Sequence, residues 1–437
     1  MNQASWPGSP IWAGWQKLLF RFAFVYLAIY IAPWTWIEYI PGGEKITGFY
    51  YQLMDLCVQK ANSVLFHVRA TLVPINGSGD TSWAWTQLWL LLCVAAIASV
   101  IWTIADRNRK NYNLLAYWFR LVLRYFIIIN CFGYGIIKLF GLQMTYPSVS
   151  QLATPLGDFL PMRFSWMFMG YSLPYQAFTG AMEVLAGLFM LYRKSAFFGT
   201  LLAAGVFAHV MIMNLSYDIP VKLYSTHLFL CCLVLVAFDY RRLIALVFNR
   251  ANTPSGLYEK TANSRWVRIA RVVVKVGFVL VTVILPVKDS YDQFKARAEK
   301  GPAGPIREGY YAVETFVRNQ DTIPYSLADD LRWHDCIFEG KGLGSIGTTD
   351  TTFRQRYHRG YFQYDADTVA RLLKMWKGNL AGNGSRIFSL QYEIADSNRV
   401  VLKGQINNDS LYIVLRRLNR HFQLTEQQFH WLSEYNR

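Results

Sequence analysis

Long apolar runs separated by short polar turns fill the first two thirds of the chain, and alternation of apolar and polar positions takes over in the last third. Seven runs reach about 20 residues, the length that crosses a bilayer core as a helix. They lie at roughly 18–37, 82–105, 113–139, 172–192, 196–214, 223–239 and 268–287. Between the first two, Ile46, Phe49, Leu53, Met54, Val58, Ala61 and Leu65 recur at helical spacing, with Asp55, Gln59, Lys60 and Asn62 largely between them. That pattern predicts an amphipathic helix over 46–70, in the outer interface or on the tops of the spans. The NGSGD stretch at 76–80 predicts a turn feeding the second span.

After the seventh span, residues 291–305 read as a partly helical linker ending in a Gly/Pro break. Beyond it, Phe388, Leu390, Tyr392 and Ile394 alternate with polar neighbours, as do Val400, Leu402, Gly404 and Ile406, and then Leu411, Ile413 and Leu415. Period two predicts antiparallel strands with one wet face. Several such strands within 306–437 predict a small all-β barrel or sandwich. The segment 366–377 fits a short helix or a further strand, and the INNDS stretch at 406–410 fits a turn. The expected fold is an all-α multi-pass transmembrane bundle over 1–290, of about seven spans, carrying a C-terminal β domain.

Composition agrees. Of 437 residues, 53% are hydrophobic and only 16% charged, against about 25% charged in soluble domains. The net charge of +16 falls mostly before Lys288, since 21 basic and 18 acidic residues follow from that position. The excess clusters in alternate turns, at Arg107, Arg109 and Lys110, at Arg193 and Lys194, and from Arg241 to Arg265. Basic residues are retained on the cytoplasmic side, so the N-terminus is expected in the cytoplasm and the β domain in the periplasm. Basic residues confined to short turns, facing lipid headgroups, argue against nucleic acid as a partner.

Ionisable residues inside spans are costly and mark candidate sites. Arg120 and Arg124 sit one turn apart in the third span, Glu183 in the fourth, His209 in the fifth and His227 in the sixth. Counting inward from each cytoplasmic end puts all five about 10–20 Å deep, as one polar layer. Glu183 is expected to pair with Arg120 or Arg124. Two arginines for one carboxylate leave positive charge, so the layer either fixes helix register or lines a site for a quinone-like or anionic molecule, with a histidine moving protons. In the NLSYDIPVKLYSTHL stretch (214–228), Asp218 is expected to cap the sixth helix with Pro220 in its first turn, and to pair with Lys222.

Weaker signals complete the reading. The six cysteines show no metal spacing, and Cys57 and Cys336, both expected outside, could pair, while Cys93, Cys131, Cys231 and Cys232 read as apolar fillers. Four glycosylation-like triplets begin at Asn76, Asn214, Asn383 and Asn408. Trp333, His334, Asp335, Tyr357, His358, His430 and Trp431 are polar-aromatic candidates for the mouth of a pocket in the β domain.

Three stretches resemble the DoxX-like bacterial membrane proteins: RYFIIINCFGYGIIKLF (124–140), FTGAMEVLAGLFMLYRKSAFFGTLL (178–202) and NLSYDIPVKLYSTHLFL (214–230). The resemblance covers about 115–245, carries the glutamate of GAMEVLAGL at Glu183, and includes the Gly135–Lys138 spacing. RWHDCIF and FHWLSEYNR resemble the extra β domain of longer members. The resemblance implies a four-helix membrane core, in some relatives a subunit of a thiosulfate:quinone oxidoreductase. This chain adds a preceding helix pair, a seventh span and the external domain. The favoured expectation is a redox or quinone-linked role in the bacterial inner membrane, centred on Glu183, Arg120 and Arg124, with a redox or periplasmic protein as a possible partner. The alternative is a lipid- or partner-binding assembly protein with a lipocalin-like periplasmic domain. A transporter lacks support, because no internal repeat or broken helix is visible.

Overall fold

The computed structural model describes residues 11–39, 42–248, 264–299, 304–326, 329, 332–377, 385–406, 409–426, 429–432 and 434. The triplet begun at Asn383, part of INNDS, the basic positions Arg250 and Lys260 and most of the Gly/Pro break lie outside these residues. The chain forms two compact units, one from Met1–Met144 with Ser172–Phe294 and one from Thr145–Tyr171 with Lys295–Arg437.

The first unit is helical. It contains α1 (Gly14–Ile31), α2 (Glu44–Ala61), α3 (Ser82–Ala105) and α4 (Asn113–Leu139). In the second unit's excursion lie α5 (Val149–Leu152) and α6 (Pro161–Tyr171). The first unit then continues with α7 (Leu173–Leu191), α8 (Ala196–Ser216), α9 (Lys222–Phe238), α10 (Tyr240–Val247) and α11 (Arg265–Val279). A π turn at Leu280–Ile284 joins α11 to α12 (Leu285–Ala298). Among the described residues, five helical stretches are long and apolar enough to cross a membrane: Gly14–Glu38, Ser82–Ala105, Asn113–Leu139, Ala196–Ser216 and Arg265–Ala298. The two other expected spans are also helices of this unit. α9 is apolar but has only 17 residues, and α7 is interrupted in its apolar character by Gln176 and Glu183.

The helical core is continuous through α4, α7, α8 and α9, where Leu123, Ile127, Phe132, Met190, Phe207, Leu228 and Cys231 are almost wholly buried. α2 forms as expected and exposes Ile46, Phe49, Leu53 and Leu56 while burying Thr47, Val58 and Ala61. α11 buries no residue at all, so its valine-rich surface suits a lipid environment rather than a protein core.

The second unit is a closed antiparallel barrel. Its strands are β1 (Gly309–Arg318), β2 (Asp321–Thr322), β3 (Asp335–Glu339), β4 (Leu343–Ile346) and β5 (Arg354–Arg356). They continue with β6 (Arg359–Asp367), β7 (Leu372–Lys377), β8 (Ser385–Ile394), β9 (Arg399–Ile406) and β10 (Asp409–Leu418), before a last short helix, α13 (Gln423–Glu426). Eight strands follow one another around the ring as β1-β3-β4-β6-β7-β8-β9-β10, and β10 pairs back onto β1 from Tyr310↔Leu418 to Arg318↔Leu411. β2 and β5 are side pairings. The segment 366–377 is therefore the end of β6, a turn and β7, not a helix.

An eight-stranded ring is just wide enough to be filled by its own side chains. Tyr311, Phe316, Trp333, Phe338, Phe353 and Phe362 do so, with the expected Leu390, Leu402, Ile413 and Leu415. Ile394, expected on the inner face, is 48% exposed at the rim. Closure also removes the sheet edges that would otherwise recruit other strands.

The 145–171 excursion has no counterpart in the sequence pattern. It packs on the barrel through Ser150, whose N–H donates to the Glu339 carboxylate (2.7 Å), and Arg163, whose Nε donates to the Tyr357 hydroxyl (3.0 Å). Phe159 packs against the Tyr357 ring.

Candidate functional site

The helical unit holds its most informative chemistry where α4 crosses α7. Two glycines set that crossing. A Cβ on Gly180 would stand 2.6 Å from the Gly135 carbonyl, and one on Gly135 would stand 2.9 Å from the Gly180 carbonyl. The helices therefore touch backbone to backbone, as small residues permit in membranes. One turn beyond each glycine, Lys138 and Glu183 meet as a buried ion pair, 6% and 2% exposed. Lys138 Nζ donates to Glu183 Oε1, while Oε2 is buried with no hydrogen-bond partner. Tyr134 and Cys131 stand four and seven residues before Lys138, on the same face of α4.

This pairing corrects the expected one. Arg120 pairs with Asp239 (2.5 Å) and lies over the Phe238 ring, and Arg124 Nε donates to the Met190 carbonyl (2.5 Å). The Arg124 contact explains the error. It puts the end of α7 at the level of Arg124, eleven residues into α4. Counting depth from each helix's own end thus misaligned the two by about 16 Å at 1.5 Å per residue.

The two histidines also part company. His209 is exposed on α8. His227 is buried against α1, where its ring stacks on Tyr30 at 3.8 Å between centroids. Its Nδ1 lies 2.6 Å from the Leu223 carbonyl and its Nε2 2.6 Å from the Tyr26 hydroxyl. A carbonyl only accepts, so Nδ1 carries a proton, and in the neutral ring Nε2 accepts from Tyr26. Nearby, the Tyr224 hydroxyl donates to Asn130 Oδ1 (2.6 Å).

The cap on α9 is Asp80, not Asp218. Asp80 accepts from the N–H groups of Lys222 (2.8 Å) and Leu223 (2.9 Å). Asp218 has a left-handed backbone (φ 50°) unlike a cap residue, but it does pair with Lys222 at 2.6 Å as expected. The NGSGD turn delivers Asp80 because Gly79 N–H binds the Pro220 carbonyl (2.7 Å). Cys57 and Cys336 are free, the first exposed and the second buried in the barrel, so the envisaged disulfide is absent.

In the barrel the expected pocket residues disperse. Trp333 belongs to the core, and Tyr357 and His358 form the left-handed turn between β5 and β6. His430 and Trp431 are exposed near the C-terminus. Asp335 is buried and paired with Arg359, whose guanidinium also reaches the Ser345 hydroxyl. Ser345 in turn donates to Ser150 Oγ (2.7 Å), so the excursion is tied into this cluster. His334 has a buried Nδ1 without a partner, and burial pushes its pKa below the usual histidine value. Among the described residues, no three His, Cys, Asp or Glu side chains group to hold a metal.

Lys138 and Asp239 were the partners missed. The Gly135–Lys138 spacing was the available signal, since a glycine contact one turn from a buried lysine brings that lysine to whatever faces the glycine.

No family model matches the chain, and no solved structure does. The uncharacterized protein YwoB of Bacillus subtilis (strain 168) is similar, with 30% identity over 127 residues, which are 28% of this chain and 78% of YwoB. Through that stretch the chain belongs to the family of the uncharacterized protein YwoB.

Proposed function

We propose that this is a bacterial inner-membrane protein of DoxX-like type that binds a quinone-like molecule at the Lys138–Glu183 pair and exchanges a proton with it. The observation that carries the reading is the second carboxylate oxygen of Glu183, buried and unpartnered beside a lysine that already satisfies the first. Burying a polar atom without a hydrogen bond costs about 1–3 kcal/mol, and a hydroxyl or protonated carbonyl of a ligand offsets that cost. In this reading Glu183 takes or gives the proton, Lys138 holds the carboxylate in place, and Tyr134 orients the ligand from the same face. Electrons come from or go to a separate redox protein.

The assembly alternative draws its support from the barrel. Its interior is occupied by aromatic side chains, which disfavours a lipocalin-like ligand and leaves the outer surface for a partner. Extracted lipid from purified protein, examined by mass spectrometry, is expected to contain quinone at near-stoichiometric amount, and Glu183→Gln is expected to lose it. Wild-type protein with no retained quinone favours the assembly reading.

The proposed orientation places the N-terminus in the cytoplasm and the barrel in the periplasm. Its support is the loop charge and a parity argument: α7, α8, α9 and α11 lie between the excursion and the C-terminal strands, and four crossings return a chain to the same side. A reporter active only in the periplasm should work when fused after Arg437 and stay silent after Arg250. The reverse pattern would overturn the orientation.

A further inference from the structure

We infer that α6 is a membrane-interface helix, seating the barrel unit's excursion on the outer headgroup layer of the bilayer. The inference rests on the membrane character of the helical unit and, for which leaflet, on the orientation proposed above, not on the quinone reading.

Three observations converge on α6. Its surface is divided: Ser165, Met169 and Gly170 are buried, while Phe164 and Phe168 are 44% and 64% exposed. Leu160, just before the helix, is 64% exposed and Tyr171 38%, so the exposed apolar positions run 160, 164, 168 and 171 along one face. From Leu160 to Tyr171 the sequence contains one charged residue, Arg163, and its guanidinium is engaged by the Tyr357 hydroxyl. The stripe therefore offers an acidic or basic protein partner no charge, but its Leu and Phe are what an interfacial helix buries, with Tyr171, a residue of the interfacial belt, at its end.

The third observation is chain continuity, which selects the occupant. The excursion leaves from the end of α4, a helix of membrane-spanning length, and Ser172 alone separates Tyr171 from the first residue of α7. Two residue steps span at most about 7 Å, so α6 ends at the height where the chain meets the outer end of α7. An eleven-residue helix is about 16 Å long, too short to carry Phe168 or Phe164 far from that height unless it stands upright. A stripe along its whole length is what an in-plane orientation requires, with the apolar face sunk about 5–10 Å into the headgroup boundary.

The test uses the full chain in nanodiscs. Exposed native Cys57 and Cys93 are first replaced by alanine. Single nitroxide labels are then placed through Phe164→Cys, Phe168→Cys and Leu160→Cys, with Val369→Cys on the barrel surface, 95% exposed, as the aqueous control. Labels at 160, 164 and 168 should be relaxed more by oxygen than by a water-soluble nickel chelate, with the ratio inverted at 369. Nickel access at 164 and 168 equal to that at 369 overturns the inference. So does dipolar broadening at 168 that vanishes on dilution with unlabelled protein, since a second copy would then cover the stripe. Position 160, outside the helix, keeps the result readable if a helix variant fails to fold.

Discussion

Both units bury an ion pair, yet they finish it differently. In the barrel, Asp335 Oδ1 accepts from Arg359 Nη2 (2.6 Å) and from Gly347 N–H (3.2 Å), while Oδ2 accepts from Arg359 Nη1 (3.2 Å). In the helical unit, Glu183 engages Lys138 through one oxygen only. The planar, five-donor guanidinium can saturate a carboxylate, whereas a lysine ammonium is a single point of contact. A saturated pair joins strands and excursion into one body, and an unsaturated one leaves a buried acceptor open.

The largest effect expected from breaking this contrast is at Arg359. Arg359→Ala leaves Asp335 buried and unpaired, and truncating one partner of such a pair costs about 3–5 kcal/mol. Protease resistance of the barrel in urea should fall accordingly, and Asp335→Asn added to it should recover part of the loss. Equal stability of the single variant and wild type would show that water reaches the pair.

A smaller effect is expected in the membrane. A double-mutant cycle of Lys138→Met and Glu183→Gln should give a coupling of about 0.5–3 kcal/mol in thermal unfolding in detergent. The cycle of Arg120→Gln with Glu183→Gln should be additive, because Arg120 pairs with Asp239. Coupling of Glu183 to Arg120 in place of Lys138 would contradict the geometry of the α4–α7 crossing.

The smallest effect sharpens the comparison through pH. Burial lowers the pKa of His334 below its ordinary 6.5, so the unfolded chain takes up a proton at higher pH than the folded barrel does. Stability from this group is therefore complete above about pH 6.5 and declines as pH falls toward the lowered value. His334→Gln should flatten the acid side of the barrel's stability profile and leave the alkaline side unchanged. An unaltered acid slope would assign it to other groups.

Much of the fold was legible because burial has a period. Length of apolar run gave the helices, and alternation gave β8, β9 and β10 with their inward residues. Closure between β1 and β10 was not legible, since pairing between strands 91 positions apart, as at Arg318 and Asp409, leaves no local trace. The excursion was hidden for the same reason: Ser150 and Glu339 meet only through the finished fold. At the candidate site, Glu183 was visible as a charge in an apolar run. Its partner was not, because helix ends lie at different heights and tertiary contacts such as Gly135–Gly180 and Arg124–Met190 fix their offset.

The hydrogen bond between Ser150 and Ser345 has a consequence for how the protein is made. Its partners are 195 residues apart, and synthesis at about 5–20 residues per second separates their emergence by roughly 10–40 s. During that interval α6 exists without the strands it will rest on, and the membrane is the surface nearest to hand. The ring itself must wait longer still, for β10, which supplies the closing edge to β1, is made after every other strand of the barrel. On the inference drawn for α6, its apolar stripe gives the waiting segment a place to lie, and the bilayer serves the excursion as a chaperone until its strands arrive.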